Sequence, residues 1–156
     1  MKNKLFVAGI VMIFLVLVHC EKESTIYLTH IKTEAGGCNN ADFSDLKIVR
    51  EAAEDTLLFS ITQDTLDIFV GINYICCAPF QTLTQVTADS ILISITDACS
   101  PDGELCYCRC MCYYIWDFLF VDFENKSYAF KITLVDPRQT KPSVLWQGTV
   151  DLSTHN

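Results

Sequence analysis

Four cysteines stand at every second position of one short stretch: Cys106, Cys108, Cys110 and Cys112, within L-C-Y-C-R-C-M-C-Y-Y-I-W-D-F-L-F-V-D-F. Side chains two apart on an extended strand point the same way, so the spacing predicts four sulfurs in a row on one face. Three chemistries suit such a row: structural disulfides, a soft-metal site for zinc or copper, and thiol redox exchange. Redox exchange wants a Cys-x-x-Cys at a helix N-terminus, where a thiolate is stabilised, and the chain has no such motif. Zinc motifs space their cysteines so that the ligands converge in a knuckle, whereas alternate thiolates on a strand lie in a line. Beyond the leader the histidines are His30 and His155 alone.

Disulfides are the leading reading. The chain has nine cysteines. Setting Cys20 aside leaves Cys38, Cys76, Cys77, Cys99, Cys106, Cys108, Cys110 and Cys112, an even number in a chain with an export signal. Cysteines two apart on one strand have Cα atoms about 6.6 Å apart and parallel Cβ vectors, a poor geometry for a bridge. The four therefore need partners elsewhere. Cys76 and Cys77 are adjacent, fall on opposite faces of a strand and should seek different partners. Cys99 and Cys106 flank the turn Ser100-Pro101-Asp102-Gly103 and can face one another across a hairpin.

The leader explains why Cys20 is set aside. Met1–Lys4 is basic, and residues 5–18 are an unbroken apolar run ending at Leu17-Val18-His19-Cys20. A helix of that length spans roughly 21 Å, short of the hydrocarbon core, so it reads as a signal sequence covering residues 1–19. Leu17–Cys20 resembles the lipobox of bacterial lipoproteins, which implies a lipidated Cys20 with an acidic tether over residues 20–24; residues 25–156 read as one domain.

That domain reads as all-β: an antiparallel β-sandwich, immunoglobulin-like or a meander, of about seven or eight strands. Thr25–Thr33 is β-branched and aromatic, and Gly36–Asn40 is a turn cluster. The stretch 42–54 fits a helix or a strand, with a strand and a turn at Glu51–Asp55 preferred. Leu57, Phe59 and Ile61 alternate cleanly, as do Leu66, Ile68, Val70, Ile72, Tyr74 and Cys76, and then Ile91, Ile93 and Ile95. Phe80–Thr87 is a polar edge strand. Glu124–Lys126 is a hairpin turn before Tyr128, Phe130, Ile132 and Leu134. Asp136-Pro137-Arg138 ends that strand, and Val144, Trp146 and Val150 belong to the last. In the opening stretch the even positions from Cys106 to Phe120 carry no charge, while the odd ones include Arg109 and Asp117. The even face is therefore expected inside, with a bulge near Tyr113-Tyr114. The odd face, with Tyr107, Arg109 and Tyr113, is the candidate binding surface.

The lipobox at Leu17–Cys20, the Cys76-Cys77-Ala78 pair and the late cluster Cys106–Tyr113 resemble a group of uncharacterised short bacterial lipoproteins with a C-x-C-x-C-x-Y signature. His19 stands where such lipoboxes have Gly, Ala or Ser. The resemblance implies an exported β-domain held at the membrane by acyl chains on Cys20 (palmitate or a related fatty acid), and it transfers no catalytic or binding residue.

No serine-hydrolase elbow, zinc-protease helix, phosphate loop or dinucleotide fingerprint is present. The formal charge of −8 argues against nucleic acid, which needs Lys and Arg at phosphates. The reading is a non-catalytic lipid-anchored envelope or surface protein with no cofactor, in the outer membrane, the periplasm or at the cell surface. Its partners would be the membrane and an envelope protein or glycan. The alternative is a metal-binding envelope protein using the cysteine row.

Overall fold

The structure, a computed structural model, describes residues 28–38, 54–100 and 106–153. The leader, Cys20 and its tether, the segment 42–53 and the Pro101–Gly103 turn lie outside the described residues.

Eight strands form two four-stranded sheets: β1 (Thr29–Gly37), β2 (Thr56–Thr62), β3 (Thr65–Ile75), β4 (Phe80–Val86), β5 (Ser90–Asp97), β6 (Met111–Val121), β7 (Ser127–Val135) and β8 (Ser143–Asp151). One sheet has the order β1-β6-β3-β2 and the other β4-β5-β7-β8. They pack face to face as a sandwich. Phe59 of β2 meets Phe130 of β7 at 5.0 Å between ring centroids, and Phe80 of β4 meets Tyr114 and Trp116 of β6 at 4.8 and 5.2 Å.

The core follows the alternation of the sequence. Leu66, Ile68, Val70 and Ile72 of β3 are buried against Ile91, Ile93 and Ile95 of β5, with Tyr114, Trp116, Phe118 and Phe120 from β6 and Tyr128 and Ile132 from β7. The two central strands of each sheet thus supply most of the core, because only they are flanked on both sides. The β3–β6 register runs unbroken from Leu66↔Phe120 to Ile75↔Met111. The bulge expected near Tyr113-Tyr114 is therefore absent, and even parity points inward along all of β6. Bulges fall instead in β1, between His30 and Lys32, and between β7 and β8 at Ile132/Thr133.

Each chain connection reverses direction, so strands an odd number apart in sequence run antiparallel when paired. β5 and β7 are two apart and pair in parallel. Between them the chain crosses to the facing sheet as β6 and returns. Glu124–Lys126 therefore joins two sheets and is not a hairpin turn. Hairpins do connect β2 to β3, β4 to β5, and β7 to β8. The strand order matches neither a meander nor the immunoglobulin arrangement. Gly36 and Gly37 complete β1, so the turn cluster expected there begins only at Cys38; residues 25–27 of the expected first strand lie outside the described residues. At Gly37 a positive φ of 61° turns the chain toward Cys38, and any side chain there would strike the backbone of Tyr113.

Truncating the fully buried ring of Phe118 (Phe118→Ala) should cost about 3–5 kcal/mol in denaturant unfolding. The same truncation at the exposed Leu58 should cost less than about 0.5 kcal/mol.

Candidate functional site

Alternating strand direction brings the C-terminal ends of β1, β3, β5 and β7 together at one end of the sandwich, where β6 begins. All eight cysteines of the β-domain gather there, in four disulfides: Cys38–Cys112, Cys76–Cys110, Cys77–Cys108 and Cys99–Cys106. Their Cα separations are 6.1, 5.4, 5.5 and 5.9 Å, all within bridging range. No two cysteines of the 106–112 segment are joined to each other. Each reaches a different position: Cys38 after β1, Cys76 and Cys77 after β3, Cys99 after β5.

The segment is not the strand that its spacing suggests. β6 starts at Met111, so only Cys112 lies in it; Cys106 is in a turn, and Cys108 and Cys110 are exposed. Of the row, only the half-buried Cys112 continues the inward face of β6. The backbone of Cys76 explains the departure. Its N–H donates to the Cys110 carbonyl at 2.9 Å, and its own carbonyl accepts from the Cys108 N–H at 3.0 Å. Cys77 then adopts a left-handed φ of 68°. Cys76 is turned inward and buried while Cys77 is exposed, so the adjacent pair reaches two different cysteines. With every thiol of the row bonded to another sulfur, no thiolate remains to ligate zinc or copper, which removes the chemical basis of the metal alternative. Among the described residues no group of three or more His, Cys, Asp or Glu side chains could hold a metal ion.

Beside the bridges lies a polar cluster. Asp97 ends β5, and Asp136 follows β7. The parallel register Thr96↔Val135 makes them neighbours, and both continue the inward parity of their strands. They are 2% and 6% exposed. Asp97 accepts from the Tyr74 hydroxyl (2.9 Å), the Tyr107 hydroxyl (2.6 Å) and the Cys99 N–H (3.0 Å). Asp136 accepts from the Arg138 N–H, Nε and guanidinium NH2 groups at 2.9, 2.8 and 2.8 Å. The Arg138 guanidinium also lies 5.0 Å over the rings of both Tyr74 and Tyr107. One cation thus joins the two carboxylates through two aromatic faces.

Burial, reinforced by the bond to Asp97, pushes the Tyr107 phenol up to about 12 and raises that of Tyr74 further. The hydrogen bond from Arg138 holds Asp136 below the usual carboxylate range. Protonated hydroxyls donating into a carboxylate, and a guanidinium committed to another, form a brace. Neither hydroxyl is available as a base near neutral pH.

Of the three residues of the candidate binding surface, Tyr107 and Tyr113 are half-buried and Arg109 is exposed. Tyr107 turns in to Asp97. Tyr113 lies over Gly71 on the outer face of the β1-β6-β3-β2 sheet, where any Cβ at Gly71 would collide with its ring. The sequence reading missed Tyr74, Asp97, Asp136 and Arg138 as a group. The available signal was an acid at an inward position, twice: Asp97 after Ile91, Ile93 and Ile95, and Asp136 after Ile132 and Leu134.

A second acidic group lies on the outer face of the same sheet as Tyr113. Glu34 is opposite Asp117 in the β1–β6 register, with Asp67 one strand further on. Burial raises both aspartates; repulsion from Glu34 adds to each, and repulsion from Asp67 adds to Asp117. No family model, curated protein or solved structure matches the chain.

Two measurements test this end of the molecule. With Cys76–Cys110 in place, Cys77–Cys108 closes a path of only three residues (77 − 76 = 1, 110 − 108 = 2). Through the same bridge, Cys38–Cys112 closes about forty (76 − 38 = 38, 112 − 110 = 2). On chain entropy, removing the first pair by double alanine substitution should cost about 1.5 kcal/mol and removing the second about 4, read by denaturant unfolding. For Asp136 the depressed folded pKa means that its stabilisation is present above the unfolded value and drains away as pH falls through the folded one. Asp136→Asn should cost about 2–3 kcal/mol at neutral pH. That gap should close as pH drops below about 4.

Proposed function

We propose that the chain is an exported, lipid-anchored β-sandwich of the bacterial envelope that works by binding or by structural support. Cysteine arithmetic carries the reading. Eight of the nine cysteines pair among themselves, leaving Cys20 without a cysteine in the chain to pair with. Cys20 is also the residue at the end of the apolar leader, where acylation would give a membrane anchor. Four disulfides in so short a domain belong to an oxidising compartment outside the cytoplasm. The buried polar groups at the bridged end are spent on each other, which favours a rigid module over a reactive centre. An envelope protein or a glycan is the partner class this reading supplies.

Intact mass of the native protein tests it. The expected mass is that of the chain from Cys20 onward plus a lipid, and reduction should add eight hydrogens, two for each of four bridges. Cys20→Ala should abolish the lipid increment and release the protein from membranes. A native mass equal to the bare polypeptide, which Cys20→Ala lowers only by the lost sulfur, would remove the anchor from the proposal.

A further inference from the structure

The edge strand β4 has a sequence symmetric about its centre. Its sequence is Phe80-Gln81-Thr82-Leu83-Thr84-Gln85-Val86, and Gln81 to Gln85 reads the same in both directions about Leu83. β4 pairs with β5 on one side only. The hydrogen bonds at the two ends of the hairpin, from Thr87 N–H to the Ser90 carbonyl (2.9 Å) and from Ala98 N–H to the Pro79 carbonyl (3.0 Å), fix the backbone direction. Odd residues of β4 turn their backbone groups to β5. Thr82, Thr84 and Val86 turn theirs outward, to the free edge.

Antiparallel pairing of two copies about a two-fold axis at Leu83 puts Thr82 opposite the second copy's Thr84, both with outward-facing backbone groups. Gln81 then faces Gln85, and Leu83 faces Leu83 at a non-hydrogen-bonded position, where side chains come closest. Every cross-strand pair is of like polarity and none is charged. Leu83, 58% exposed, would be covered. The Thr84 hydroxyl oxygen, buried without a hydrogen-bond partner, would meet a second threonine. Beside the edge, on the sheet's outer face, an open depression of about 240 Å³ is lined by Leu83, Gln85, Leu92, Ser94 and Lys131, and pairing would continue it onto the second copy.

The other three edges lack this match. β1 carries Lys32, Glu34 and a bulge, and β8 carries Gly148, Asp151 and a register shift. β2 is uncharged, but Glu54 and Asp55 precede it and Asp64 follows it, so antiparallel self-pairing would set acid against acid. In a chain of net charge −8, β4 is the edge on which two copies can meet without like charges opposed.

We propose that two copies of the chain associate through β4, joining the β4-β5-β7-β8 sheets into one continuous eight-stranded sheet by isologous strand addition. Sedimentation equilibrium of the exported chain in detergent should give the mass of two chains, falling to one on dilution. Leu83→Lys, which opposes two ammonium groups across the axis at an exposed position, should weaken association at least tenfold. Leu58→Lys, equally exposed on β2, should leave it unchanged. Hydrogen exchange on the wild type should protect the Thr82, Thr84 and Val86 amides in the associated state and lose that protection on dilution, while Leu83 and Gln85 stay protected throughout. A wild type that is monomeric at the highest soluble concentration overturns the proposal. So does a dimer that Leu83→Lys leaves intact, one that Leu58→Lys dissociates, or one whose Thr82, Thr84 and Val86 amides exchange freely.

Discussion

The seven residues from Cys106 to Cys112 hold one end of the sandwich in place. Every second residue is covalently joined to the end of another strand, so β1, β3 and β5 cannot separate from the start of β6. The polar brace depends on the same segment. Tyr107 sits between two bridged cysteines and is fixed where its hydroxyl reaches Asp97. Asp97 in turn holds Tyr74, and Arg138 covers both rings while pairing with Asp136. Two buried carboxylates side by side would be costly alone. They are tolerated because each has its own donors: Tyr74, Tyr107 and the Cys99 N–H for Asp97, and Arg138 for Asp136.

The interior of the sandwich and the outer face of the β1-β6-β3-β2 sheet treat their acids differently. Inside, the charged groups sit at the bridged end and are matched by donors. Outside, Asp67, Asp117 and Glu34 are neighbours, and among the described residues the ion pair given to this group is that of Lys32 with Glu34 along β1. The repulsion among these acids is one reason why the net negative charge of the chain is a load on its stability as well as an aid to solubility.

Much of the core was legible in the sequence because burial imposes a period of two on a strand. Ile91, Ile93 and Ile95, the even run from Leu66 to Cys76, and Tyr114 to Phe120 all point inward as their alternation implies. The cysteine row was misleading for a physical reason. An alternate spacing also arises where a non-strand segment is cross-linked residue by residue to separate partners, and nothing local distinguishes the two. The Glu124–Lys126 connection failed in the same way, since the turn that closes a hairpin and the turn that arches to a facing sheet use the same residue types. The Asp97–Asp136 pairing could not be read at all. It requires the parallel alignment of β5 and β7, which arises only because β6 lies in the other sheet.

Strand β1 enters the sandwich at Leu28 and Thr29, at the end opposite the bridges, and leaves it at Cys38. A pull on the chain ahead of Leu28 therefore loads the β1–β6 ladder from its unstapled end. The strand can be drawn off its neighbour only as far as Gly37, where the bond between Cys38 and Cys112 carries the load covalently into β6. In mechanical terms the disulfide is an arrestor at the far end of β1: the ladder's hydrogen bonds yield first, and the bond keeps the strand from leaving β6.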